Sequence, residues 1–146
     1  MKKKAILVML LALPLLFASC SKDDGDWDPM KWKTEVKTSK DGYINVSPSG
    51  NTLTFWCVNY NSMWLNSITE TGADSENHFT RNENTKKGNI ESMQSNWMTV
   101  ESEGNRLTIT VSPTASDSNR FMEIDVSNGD AFYTFKIKQR GLKVGL

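Results

Sequence analysis

The sequence predicts an all-β domain of the sandwich kind, and three observations predict it. Short runs with period-two alternation recur at close intervals, turn residues separate them, and no stretch carries the 3.6-residue period of a helix. The chain has 146 residues, enough for one domain behind a leader. No repeat at solenoid spacing is present.

The first segment stands apart from that domain. Lys2, Lys3 and Lys4 precede an apolar run over residues 5–17, too short to span a bilayer comfortably but right for a signal peptide. Ala18 and Ser19 then supply small residues directly before Cys20. Residues 1–19 therefore read as a lipoprotein signal peptide, with Cys20 as the lipidated first residue of the mature chain. The lipobox match departs from the usual pattern at Phe17, where leucine is common. Acyl chains partition at about 0.8 kcal/mol per buried methylene, so a multiply acylated cysteine anchors firmly without a spanning segment. The expected membrane partner is thus reached by a lipid anchor.

Loss of the three leader lysines leaves 14 basic against 17 acidic residues, a net charge of −3. Residues 20–28 hold four of those acids and one lysine, so the chain from Pro29 onward is neutral. A neutral domain is not built for nucleic acid, which calls for a strongly basic face. Residues 20–33 read as an acidic, solvated tether and residues 34–146 as the folded domain. Trp27 and Trp32 are unusual in a tether, and they either dock on the domain or belong to a binding surface. The Lys22-Asp23-Asp24 run resembles the surface-export signal of Bacteroidota lipoproteins, which implies the cell-surface side of an outer membrane.

Within the domain, residues 35–38 form a run that leads to the turn Lys40-Asp41-Gly42 and a strand over 43–46. A second turn cluster spans 47–51. Residues 52–60 place Leu53, Phe55 and Cys57 on one face and Trp56, Val58 and Tyr60 on the other, so a central strand is expected. Residues 66–92 are polar, and loops are expected there with short strands near 77–81 and 89–91. The C-terminal third is cleaner. Leu107, Ile109 and Val111 share one face of a strand, as do Met122, Ile124 and Val126 of the next. Asn128-Gly129 signals a type I′ hairpin. The returning strand puts Tyr133, Phe135 and Ile137 inward, with Lys136 and Lys138 opposite the acids of its neighbour.

Few residues suggest chemistry. After Cys20, Cys57 is the single remaining thiol; it forms no internal disulfide and sits in an apolar run that favours burial. His78 is the one histidine, placed in a polar loop, so multi-His metal sites are ruled out and a His-based triad is possible only around it. Asp41, Asp74, Glu76, Asp117, Asp125 and Asp130 are scattered and read as solvated. No catalytic residue, cofactor or metal is expected. The aromatic side chains carry more information. Trp56, Tyr60, Trp64 and Trp97 are candidates to stack on saccharide faces, and all four also suit a sandwich core.

A resemblance adds to this reading. Trp97-Met98-Thr99-Val100, the alternating strand 106–111, Arg120 before the next strand, and the closing Phe135-x-Ile137-x-Gln139-x-Gly141 resemble a BACON domain (Bacteroidetes-associated carbohydrate-binding often N-terminal). The closing motif is a conservative variant of the family's Ile-x-Val-x-Gln-x-Gly. The likeness spans roughly residues 36–141 and is weak over 68–90. It implies an immunoglobulin-like β-sandwich and a non-catalytic role at the cell surface, with glycan or another surface component as ligand. The alternative is a structural, assembly or spacer lipoprotein that contacts a protein partner. Trp97, Arg120 and Gln139 match the motif and read as structural, with Arg120 and Gln139 able to satisfy backbone groups at strand ends.

Overall fold

A computed structural model of the chain describes residues 27–143. The signal peptide, Cys20 and the acids before Trp27 lie outside the described residues. The strands, in chain order, are β1 (Trp32–Lys33), β2 (Ile44–Val46), β3 (Asn51–Cys57), β4 (Trp64–Thr71), β5 (Glu76–Thr80), β6 (Thr85–Lys87), β7 (Ile90–Gln94), β8 (Met98–Glu103), β9 (Arg106–Val111), β10 (Arg120–Asn128) and β11 (Ala131–Gln139). One 3-10 turn, Arg81–Glu83, follows β5. The strands form two packed sheets, β1-β3-β9-β8-β7-β6 and β2-β11-β10-β4-β5. The protein is an all-β, immunoglobulin-like sandwich.

Alternation decides what fills the space between the sheets. Leu53, Phe55 and Cys57 of β3, Leu107, Ile109 and Val111 of β9, and Met122, Ile124 and Val126 of β10 are all buried there. Each such side chain contributes roughly 1.5–3 kcal/mol by leaving water. A one-residue slip would turn a whole row outward, so register is strongly specified. Cys57 is among these rows, with its thiol 3.4 Å from Asn59 Oδ1.

Several expectations need correction. The domain starts before residue 34. Met30 is buried, and β1 pairs with β3 through Trp32 opposite Cys57. Trp32 lies 4.9 Å from Phe135 and 6.4 Å from Phe55 between ring centroids, so it docks on the core. Residues 35–38 form no strand, because this segment changes sheets: β1 runs antiparallel to β3, and β2 then runs parallel to β11. β3 has a neighbour on both sides only at Trp56 and Cys57, where β1 pairs with it, and its outward face is not covered: Trp56 is exposed, as is Val58 just beyond the strand.

The polar middle is more ordered than expected. Short strands do occur near 77–81 and 89–91, but β4 is eight residues long and β6 pairs with β7. The hairpin after β10 is also displaced by one residue. Asn128 pairs with Ala131, so Gly129 and Asp130 are the central positions. Only Gly129 has a positive φ, +56°, which is the sign pattern of a type II′ turn rather than I′. Tyr133 follows the inward parity but is exposed near the strand's end. Lys136 does face Glu123, whereas Lys138 faces Phe121.

Candidate functional site

The site begins with an irregularity in β4. Leu65 and Ile68 are both buried although three positions separate them, which strict alternation forbids. A β-bulge resolves this. Val126 pairs with Leu65 and Asp125 with Ser67, leaving Asn66 without a partner on β10. Asn66 and Ser67 therefore both turn to the outer side, the kind of re-aiming that bulges perform beside functional sites.

Trp64 precedes the bulge and is 51% exposed; Phe132, just after the hairpin turn, is 68% exposed. Both pair across the sheet with Ser127, so Trp64, Ser127 and Phe132 form one row on the outer face. Two strand spacings put the two aromatic residues about 10 Å apart along that row. The next row is polar. Asp125 accepts hydrogen bonds from Ser67 Oγ at 2.9 Å and from Thr134 Oγ1. Asn66 Nδ2 donates to Ser127 Oγ at 2.9 Å, while Asn66 Oδ1 accepts from Arg81. The Arg81 guanidinium, carried by the 3-10 turn, lies 5.4 Å from the Trp64 ring centroid. Together these side chains line a shallow groove of about 570 Å³. Gly129 closes one end, with the Trp27 ring so close that an added Cβ would meet it at 2.8 Å.

Of the four aromatic candidates, Trp64 belongs to this groove and the others do not. Trp56 is 41% exposed but projects from the outer face of the other sheet, between Lys33 and Arg106. Tyr60 is half-buried and donates to Asp28 O at 2.6 Å, which pins the N-terminal segment. Trp97 sits at the far end of the sandwich, half-buried under the Arg120 guanidinium at 4.7 Å. Its backbone N–H donates to Glu70 Oε1 at 2.8 Å. Arg120 in turn donates from Nε to Gln139 Oε1 at 2.6 Å and from Nη2 to Ser112 O at 3.0 Å. Gln139 Nε2 donates to Ser47 O and Ser112 O. The motif arginine and glutamine thus satisfy backbone carbonyls at strand ends, as their residue types suggested. Burial draws the Arg120 pKa below its ordinary value, and the Glu70 carboxylate opposes that shift.

Sequence reasoning missed the groove's polar residues Asn66, Ser67, Arg81 and Ser127 and its second ring, Phe132. The parity of Phe132 is that of Thr134, Lys136 and Lys138, so a large apolar ring on that face was a legible signal of exposure. His78 lies on β5 rather than in a loop, exposed, with Nδ1 3.0 Å from Thr69 Oγ1. Among the described residues, no three His, Cys, Asp or Glu side chains gather as metal ligands would.

No protein-family model matches the chain, and no curated protein matches it. Among solved structures, it is similar to an NMR structure of a protein from Bacteroides thetaiotaomicron. The identity is 29%, the match covers 84% of this chain and 95% of that one, and the TM-score is 0.64. The twitchin kinase region from C. elegans matches at 13% identity over 80% of this chain and 18% of that one, with a TM-score of 0.30.

Proposed function

We propose that this chain is a non-catalytic lipoprotein, anchored through Cys20 at the outer-membrane surface, whose sandwich binds saccharide in the Trp64–Phe132 groove. The observation that carries the reading is the groove's composition. Two exposed rings stand along one row, and amide, hydroxyl, guanidinium and carboxylate groups stand beside them. Aromatic faces suit the C–H surfaces of sugar rings, and directional polar groups suit their hydroxyls. The BACON-like pattern of Trp97, Arg120, Gln139 and Gly141 agrees in kind, since it implies a carbohydrate-associated module. Among the described residues, Asp125 is the one carboxylate lining the groove, and glycoside hydrolysis ordinarily requires a pair.

A glycan array probed with the detergent-solubilised mature lipoprotein tests the reading. Trp64→Ala should abolish binding, Phe132→Ala should weaken it, and Trp56→Ala on the other sheet should leave it intact. A blank array with folded protein sinks the proposal.

One observation favours the second reading, a module that contacts a protein partner. β3 pairs with β1 only through Trp56 and Cys57, so its edge from Asn51 to Phe55 carries no strand among the described residues. Thr34 Oγ1 donates to Thr54 O there, beside an open groove of about 1030 Å³. An exposed edge of this kind accepts an added strand. Slowed amide exchange over 51–55 on mixing with membrane proteins would favour this reading over the first.

A further inference from the structure

The exposed apolar side chains are not spread evenly. Trp27, Trp56, Val58, Trp64, Phe132 and Tyr133 all belong to one end of the sandwich, whereas Leu142 lies at the other. Strand register fixes this placement. β1 begins opposite Cys57, β4 begins beside Ser127, and the β10–β11 turn is tied to the β3–β4 connection by Asn128 Nδ2 donating to Ser62 O at 2.8 Å. The same end receives the N-terminal segment, held by Tyr60 on Asp28 O and by Asn59 Nδ2 on Pro29 O at 2.9 Å. Seven residue steps separate Cys20 from Trp27. They reach at most about 25 Å even when fully extended.

A domain acylated at Cys20 therefore keeps this end, and the groove on its lowest rungs, close to the bilayer. Resting on the anchored, saccharide-binding reading above, we propose that the groove takes the sugar portion of a glycolipid carried in the same membrane as the anchor. The sugars nearest the acyl chains of such a lipid stand at the height of Trp64 and Phe132. Trp27, exposed at the same end, is of the residue type that favours the membrane–water interface. Farther from the anchor, the rings on the same sheet side, Phe121 and Tyr43, are half-buried against each other with Lys138 and Lys136 over them. Affinity also fits. A shallow, open groove binds weakly from solution, but tethering ligand and protein to one surface raises the effective concentration into the millimolar range. A weak site then suffices.

The test uses mature lipoprotein reconstituted in phosphatidylethanolamine vesicles with or without rough lipopolysaccharide, read by tryptophan emission. The saccharide released from that lipopolysaccharide, added in solution to the same vesicles, is the second arm. The vesicle-borne ligand should reach half-maximal response at a bulk sugar concentration at least tenfold below that of the free saccharide. Phe132→Ala, which keeps every tryptophan, should weaken both responses, while Trp97→Phe, at the far end, should keep them. A flexible Gly/Ser insert of about 20 residues after Lys22 should erase the tenfold advantage. Equal half-points for the two arms would overturn the glycolipid source and leave the groove reading standing. Silence in both arms from a protein that binds on the glycan array overturns the glycolipid proposal alone. A blank array removes the groove reading with it.

Discussion

Two arginine–tryptophan pairs occupy opposite ends of this sandwich. Arg120 over Trp97 is buried, and its donors reach Gln139 and the Ser112 carbonyl. Arg81 over Trp64 is exposed, and among the described residues its guanidinium hydrogen-bonds to Asn66 alone. The residue types are the same. What differs is saturation: a buried guanidinium with fixed acceptors acts as a clamp, while an exposed one beside an open ring remains free to meet a ligand. Exposure and unspent donors, rather than residue identity, separate the structural pair from the pair proposed to meet saccharide.

The comparison breaks most visibly at Arg120. Arg120→Ala strips donors from the buried Gln139 side chain and the Ser112 carbonyl, and should cost about 3 kcal/mol in urea unfolding. Arg81→Ala should cost within about 0.5 kcal/mol while still weakening saccharide binding. Equal stability losses would erase the distinction.

A smaller effect concerns the end of the sandwich where Trp27 meets the β10–β11 turn. Gly129→Ala places a side chain at φ +56° and pushes into the Trp27 ring. The backbone penalty is roughly 1–2 kcal/mol. Removing the indole in the Gly129→Ala, Trp27→Ala double variant should recover only the steric part. Full recovery would mean that the turn itself is unstrained.

The smallest effect concerns the turn that the sequence marked at Asp41. Hydrogen bonds from Ser39 Oγ and the Tyr43 N–H hold its carboxyl below the ordinary 3.8. A depressed folded-state pKa adds stability above the unfolded value, and that stability is lost as pH falls through the folded one. The stability gap between wild type and Asp41→Asn should therefore be constant near neutrality and narrow only below pH 3.8. A gap that persists unchanged into stronger acid would show that the carboxylate's charge is not involved.

Legibility in the sequence followed the regularity of the backbone. β9 and β10 announced their inward rows because Leu107, Ile109, Val111, Met122, Ile124 and Val126 alternate without interruption. β4 was hidden because the bulge at Asn66 sets Leu65 and Ile68 three apart, a spacing that fits no flat strand. β6 was hidden because Thr85, Lys86 and Lys87 are all exposed on an edge, where nothing apolar marks a face. At the candidate site, Trp64 was named among four rings, but a neighbour such as Leu65 gives no hint of which of the two points inward. Phe132 carried its own signal in its parity and was passed over in favour of Tyr133.

The sequence by itself determined the neutral charge of the chain from Pro29 onward, the all-β class and the inward rows of the C-terminal strands. Those features are local: they depend on composition and on which of two faces a side chain takes. Only the tertiary structure decided where the domain begins, because Met30 and Trp32 show their role only against β3 and β11. It alone gathered Trp64, Arg81, Asp125 and Phe132, which come from three strands and a turn, into one groove. It alone set that groove at the end that receives Asp28 and Pro29. Such adjacency is created by strand order and a single bulge, and neither is written in any one stretch of the chain.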